Sequence, residues 1–257
     1  MSEGMRTVLS AFRVLEEVAF TQPAGVGELA RKLRMPKTTV QRALQTLWTA
    51  GWICPDGAET TRWVLTTRAL YIGQHAIPDL GVRDAALPIM RELRKETGET
   101  AHLMVLQENR AVLIERVETE HPIRAVIALG SAVPLHGSSN GKAMLAYRPA
   151  DEVRAIIGAR LERHTDKTIV DWDEFFAELG RVRARGYATN VGEWRSDIAA
   201  VASPVFDHEG VTSASLSISA PGSRMPEGLR ASYGALVTEA AQRVSATLGY
   251  RRPPDAE

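Results

Sequence analysis

Residues 25–53 read GVGELARKLRMPKTTVQRALQTLWTAGWI. Apolar side chains recur at helical spacing twice in this stretch. The first set is Val26, Leu29, Ala30 and Leu33; the second is Val40, Ala43, Leu44, Leu47 and Trp48. Only Arg34-Met35-Pro36 lies between them. Proline has no amide to donate and its fixed φ suits the first turn of a helix, so Pro36 starts the second helix. Gly51 closes it, and Gly25 or Gly27 breaks the chain before the first. Two helices joined this tightly form a helix-turn-helix.

The pattern extends on both sides. Upstream, Val8, Ala11, Phe12, Leu15 and Val18 predict a third short amphipathic helix. Downstream, WIC and RWVL read as two short strands around Asp56-Gly57. A helix-turn-helix followed by a small hairpin is a winged helix. The outer face of its third helix carries Lys37, Thr38, Thr39, Gln41, Arg42 and Gln45. Such groups reach phosphates and base edges in a major groove, where Arg suits guanine and Gln suits adenine. The same pattern fits a three-helix domain that packs on another protein. Charge favours DNA: between Arg31 and Thr61 the only acids are Asp56 and Glu59.

Over the whole chain of 257 residues, 31 basic and 31 acidic side chains cancel. Their distribution is uneven. Residues 1–75 hold nine Lys and Arg against six Asp and Glu, and the remainder holds 22 against 25. A basic front on an acidic body suits an anionic partner at the front. A single cysteine, Cys54, rules out an internal disulfide and a multi-cysteine metal site. There is no apolar run of membrane-spanning length and no leader pattern. The expectation is a cytoplasmic protein with no metal, no cofactor and no membrane partner.

LTTRALYIGQHA predicts a connecting helix capped by Thr66 or Thr67 and interrupted at Pro78 and Gly81. VRDAALPIMRELRKETG predicts another, kinked or delayed by Pro88. The connector is either a rigid spacer or a relay between domains. From Thr100 the period changes to two. TAHLMVLQ and AVLIERVE form a hairpin around residues 108–110, IRAVIAL reads as a third strand, and AVASPVF and TSASLSIS form a second hairpin around residues 207–210. Helical patterns cover 141–147, 150–159, 171–185 and 226–248. Hairpins at both ends with helices between them predict an α+β domain on a largely antiparallel sheet. The expected boundaries are a winged helix over 1–66, a linker helix over 67–82, the α+β domain over 83–250 and a frayed tail over 251–257.

Within the second domain, PLHGSSNGKAMLAY (134–147) contains a G-x-S-x-G pattern at residues 137–141. A serine hydrolase would use Ser139 on such a turn, entered by a buried strand and followed by a later histidine. VPLHG is a poor buried strand, and the later histidines are His164 in a charged loop and His208 in a turn. A phosphate loop fails on spacing and on Ala143, which stands where a hydroxyl would hold Mg²⁺. Two readings remain for the stretch itself. It is a plain helix cap on Ser138 or Ser139, or a small-residue loop whose amides at Ser139, Asn140 and Gly141 face a carboxylate.

Residues 25–53 resemble the DNA-binding domain of the IclR family of bacterial transcription regulators. ELRKETGETAHLMVL, PLHGSSNGKAMLA, RVRARGYATNVGEW and VASPVFDHEGVTSASLSISAP resemble its effector-binding domain, so the likeness spans most of the chain. The resemblance implies a GAF-like sensor fold in the second domain. It implies a double-stranded operator, palindromic, bound by a homodimer or tetramer. It also implies control by a small-molecule effector, a carboxylate or aromatic acid. Carried over by position, Lys37, Thr38, Thr39, Gln41 and Arg42 face DNA, with Arg62 as a wing contact. Ser139, Asn140, Gly141, Asn190, Ala200, Ser217 and Ser219 line the effector site. Period-two spacing puts Ser217 and Ser219 on one strand face. Five positions depart from the family pattern. Asn190 stands where a carboxylate is often found and Ala200 where cysteine is common. Ser196-Asp197 replaces a usual Gly-Val pair, and Asn140 is bulkier than usual. The enzyme alternative is a serine hydrolase-like protein with an attached winged helix, using Ser139.

Overall fold

Residues 3–57, 61–75, 80–124 and 126–251 are described in the computed structural model of the chain. The chain divides after residue 78 into two units. The Pro78 break and the tail beyond residue 251 fall outside the described residues.

The first unit holds α1 (Glu3–Thr21), α2 (Val26–Leu33), α3 (Lys37–Thr49), β1 (Ile53–Pro55), β2 (Trp63–Leu65) and α4 (Arg68–His75). Leu29 of α2 and Val40, Leu44 and Leu47 of α3 pack on Val14 and Val18 of α1, with Ile53 and Trp63 closing the core. Burying a side chain of this size contributes about 1.5–3 kcal/mol. The turn between α2 and α3 is tight. Arg34 takes a left-handed φ of 52°, a conformation that glycine adopts more easily, and the Met35 amide bonds to the Ala30 carbonyl. Pro36 is the N-cap of α3, and Gly51 at φ 76° follows its end. The wing is an antiparallel pair, Cys54 opposite Val64, held to the body by reciprocal backbone bonds between Ala24 and Trp63. The Thr66 hydroxyl accepts from the Arg68 amide at the start of α4.

Two expectations change here. The first helix is not short: α1 has 19 residues. Its packed stripe is Ala11, Val14, Leu15 and Val18, an i, i+3, i+4, i+7 set, while Val8 and Phe12 are more than half exposed. Val8 and Phe12 line a groove of about 670 Å³ between α1 and α3. Trp48, read as part of the buried face, is 46% exposed and tilts against Trp63 with ring centroids 5.8 Å apart.

The second unit opens with α5 (Leu80–Thr97), which runs through Pro88 as one helix. It continues through β3 (Thr100–Gln107), β4 (Arg110–Val117), β5 (Ala132–Pro134), α6 (Ser139–Leu145), α7 (Ala150–Ile157), α8 (Trp172–Arg185), β6 (Ala188–Val191), β7 (Ile198–Phe206), β8 (Thr212–Pro221) and α9 (Glu227–Thr247). The strands form one sheet in the order β5-β4-β3-β8-β7-β6, and every neighbouring pair is antiparallel. The fold is therefore α+β. Leu103, Val201, Leu216 and Ile218 of one face pack with Met90 and Leu93 of α5 and Val237 and Val244 of α9. On the other face, Met104, Leu113 and Ala202 join Met144 and Leu145 of α6 and Phe175 and Leu179 of α8.

The predicted third strand over IRAVIAL does not form among its described residues. The open edge of β4 is taken instead by Ala132–Pro134, with Val133 opposite Ala111, and Gly130 and Ser131 bond Leu113 just before it. Ile123, Val126 and Leu129 are left exposed. Strand propensity needs a partner edge to act on, and this one is occupied. A strand does precede the 137–141 turn, contrary to the sequence reading, but it is a three-residue edge strand.

Candidate functional site

On α3 the buried side and the outward side separate cleanly. Val40, Ala43, Leu44 and Leu47 are buried, whereas Lys37, Thr38, Gln41, Arg42 and Gln45 are exposed and Thr39 is half-buried. Thr38, Thr39 and Arg42 also border the groove beside α1. The ridge is thus one amide-rich cationic surface on a helix held rigidly by its other side. Arg62, expected as a wing contact, is engaged within the chain. Its guanidinium donates to the Pro23 carbonyl, with Nη2 at 2.6 Å, and pairs with Glu28 at 3.0 Å. It braces the wing against the start of α2.

In the second unit, sheet register brings together residues distant in sequence. Thr100, Ser219, Ala200 and Asn190 form one row across β3, β8, β7 and β6. His102, Ser217, Ala202 and Ala188 form the next. Paired residues share a face, so Asn190, Ala200, Ser217 and Ser219 lie on the side that meets α6. All four are buried. Asn140 of α6 is tied to this face: its Nδ2 donates to Ser215 Oγ at 3.0 Å. Ser139 is also buried.

Several of these polar groups are already engaged. Thr100 Oγ1 accepts from the Thr119 amide, and Asn190 Oδ1 accepts from the Glu193 amide. Six buried side-chain atoms have no hydrogen-bond partner among the described residues, and three of them belong to this sheet face or to α6: Ser139 Oγ, Ser217 Oγ and His102 Nε2; the others are Trp63 Nε1, Arg148 Nε and His164 Nε2. Unmet buried polar atoms are rare enough in folded proteins that each needs a reason. His102 was not singled out from sequence. Burial, with a smaller push from the Arg116 guanidinium, lowers its pKa to about 4, so the imidazole is neutral near pH 7. Its sequence signal was its even spacing with Thr100 and Met104 on an alternating strand.

The turn at 137–141 proves to be a cap. Ser138 Oγ accepts from the Gly141 amide at 3.1 Å and donates to the Pro134 carbonyl at 2.7 Å. The Gly141 amide is therefore spent on the cap, and its missing side chain serves the chain itself. A Cβ at Gly141 would stand 2.1 Å from the Leu135 carbonyl oxygen and 2.3 Å from Leu135 Cα. Gly141→Ala is expected to destabilise the second unit towards the upper end of the about 1–3 kcal/mol typical of overpacking. Urea unfolding monitored by circular dichroism measures the change.

Sequence reasoning also missed a buried ion pair. Lys142 Nζ contacts both carboxylate oxygens of Glu193 at 2.7 Å, and Lys142 is 1% exposed. The Thr165 and Thr168 hydroxyls donate to the Gly192 and Glu193 carbonyls at 2.7 and 2.6 Å, fixing the turn that carries the glutamate. Burial pushes the Glu193 carboxyl up, while Lys142 pulls it back. The signal was available: a lysine inside the apolar run NGKAMLA requires a buried counter-charge.

Two family models cover nearly all of the chain. The IclR helix-turn-helix domain matches residues 7–57, and the bacterial transcriptional regulator IclR C-terminal domain matches residues 74–246. The HTH-type transcriptional regulator KdgR of Escherichia coli (strain K12) is 34% identical over 253 residues, which is 98% of this chain and 96% of that protein. The chain belongs to the IclR family of bacterial transcription regulators. The HTH-type transcriptional repressor AllR of Klebsiella pneumoniae is 34% identical over 233 residues, 90% of this chain and 85% of that one. The crystal structure of Thermotoga maritima IclR superposes with a TM-score of 0.82 at 29% identity, covering 96% of this chain and all of that one.

As an IclR-family protein the chain is a DNA-binding transcription regulator with a C-terminal effector-binding domain, not an enzyme. The hydrolase alternative has no support in the site either. Ser139 Oγ bonds to no histidine among the described residues, and the His208 side chain is 73% exposed in a surface turn. No helix among the described residues is long and apolar enough to cross a membrane.

Proposed function

We propose that this regulator works in the cytoplasm as a homodimer or tetramer on a palindromic operator, with α3 of each subunit in a major groove. What carries the reading is the division of α3 into a buried apolar side and an exposed ridge of Lys37, Thr38, Gln41 and Arg42. A single helix of this kind reads few base pairs, and a two-fold operator matches a two-fold protein. Thr39 borders the ridge, and Arg62 acts through the wing that it braces. The effector is a small organic acid held on the α6-covered face of the sheet by Ser139, Asn140, Asn190, Ala200, Ser217 and Ser219, with Gly141 allowing α6 to seat there. Its binding shifts the balance between DNA-competent and incompetent geometries.

Affinity for the DNA upstream of the protein's own gene is expected to fall steeply with salt. Arg42→Ala is expected to cost about 1–3 kcal/mol and to relax base preference. Lys37→Ala is expected to weaken all sequences alike and to lower the salt slope by about one. Fluorescence anisotropy over a salt series measures all three. Salt-insensitive binding, or none with and without organic acids, defeats the reading.

A further inference from the structure

We propose that His102 is an effector-recognising residue of this chain, acting with Ser217 and Ser139, and that it selects a hydroxylated aliphatic acid over an aromatic one. The inference rests on the effector site proposed above and narrows what that site accepts.

His102 and Ser217 are Cα partners across β3 and β8, so their side chains share the face covered by α6. They are 2% and 0% exposed, and Ser139 of α6 is 1% exposed. Of the six buried side-chain atoms without a partner among the described residues, the three carried by β3, β8 and α6 belong to these residues. Their neighbours Ser215, Thr100 and Asn190 are partnered, because Asn140, Thr119 and Glu193 engage them. On β3, β8 and α6 the fully buried unmet capacity therefore lies in one imidazole nitrogen and two hydroxyls.

The chemistry of that set decides the ligand. A ligand hydroxyl both donates and accepts, so it meets His102 Nε2 in either tautomer and a serine hydroxyl in either role. A benzene ring laid on this face would exclude water and leave all three unmet, a costly outcome for buried groups. Charge does not anchor the ligand here. Arg116, opposite His102 on β4, pairs with Glu118 and bonds the Ile127 carbonyl. Lys142 pairs with Glu193. Hydroxyl groups, not a carboxylate alone, must then provide most of the recognition.

The test titrates the full-length protein with glycerate, tartrate and gluconate in one arm and benzoate in the other, by calorimetry. At least one hydroxylated acid is expected to bind more tightly than benzoate. His102→Leu is expected to weaken it by about tenfold or more, and His102→Asn to recover part of the loss. In protein labelled with ¹⁵N-histidine, the His102 Nε2 resonance is expected to move on addition of that acid. That readout stands even if the leucine variant fails to fold. Tighter binding of benzoate, an unmoved resonance, or a His102→Leu affinity within about twofold of the parent overturns the His102 assignment while leaving an effector site in place. Binding of none of the four acids removes the effector reading itself, and this inference with it.

Discussion

Glu193→Gln is expected to lower the stability of the second unit by about 3–5 kcal/mol, the usual loss when one partner of a buried ion pair is removed. Lys142 is almost wholly buried and contacts both oxygens of Glu193. The glutamine leaves an ammonium in the interior, where Glu178 supplies attraction only through space. Replacing both members by apolar residues of similar volume, Lys142→Met with Glu193→Leu, is expected to restore most of the stability, because neither charge then needs hydration. Thermal unfolding should show a fall on the order of 10 °C for the single variant and a near-parental midpoint for the double. A single-variant loss under about 1 kcal/mol would mean that the pair is solvated, as at a protein surface. The pair joins α6 to the turn after β6, so effector affinity should fall in the single variant as well.

The winged helix was legible because each of its parts has a local cause. Pro36 and Gly51 bound α3 through backbone geometry, and Val40, Leu44 and Leu47 mark its buried side by spacing alone. The sheet was legible as hairpins, since β3–β4 and β7–β8 are contiguous in sequence. What periodicity does not carry is the choice among competing edges. IRAVIAL alternates well enough for a strand, yet residues 132–134 occupy the edge of β4. The helix face of α1 was misjudged for a similar reason: Val8 and Phe12 are apolar but border a groove rather than fill a core.

The candidate site divides in the same way. Ser217 and Ser219 were placed on one face by the strand period, and Asn190, Ala200 and Asn140 by family likeness. Their meeting depends on register across four strands, which no single segment encodes. Gly141 was read as one of three amides facing a carboxylate; that its amide bonds Ser138 Oγ and that the Leu135 backbone occupies the space beside its Cα are tertiary facts. Arg62 was read as a wing contact; that Glu28 and the Pro23 carbonyl, far from it in sequence, hold it was not legible. His102 was missed because burial, which gives it its properties, is a tertiary fact, and the lysine in NGKAMLA signals a buried counter-charge without naming Glu193 as its source.

Acid should unfold the second unit in a way that depends on His102. Burial and the nearby Arg116 charge bring the folded pKa down from 6.5 to about 4. The unfolded chain therefore takes up a proton at this residue at a higher pH than the folded one does. A depressed basic group contributes stability that is fully present above about 6.5 and is lost as pH falls towards 4. The gap corresponds to about 3 kcal/mol. Burial lowers the His136 pKa too, with the same sign, so total acid loss exceeds the share of His102. Glu193, pushed up by burial, works against the loss, because its folded form binds a proton first. Comparing unfolding free energies of the parent and His102→Asn at several pH values from 7 to 4 isolates the residue. The difference between the two curves should change by about 3 kcal/mol across that window. Parallel curves would place the imidazole in water, and with it would go the case for an unmet nitrogen on the α6 face of the sheet.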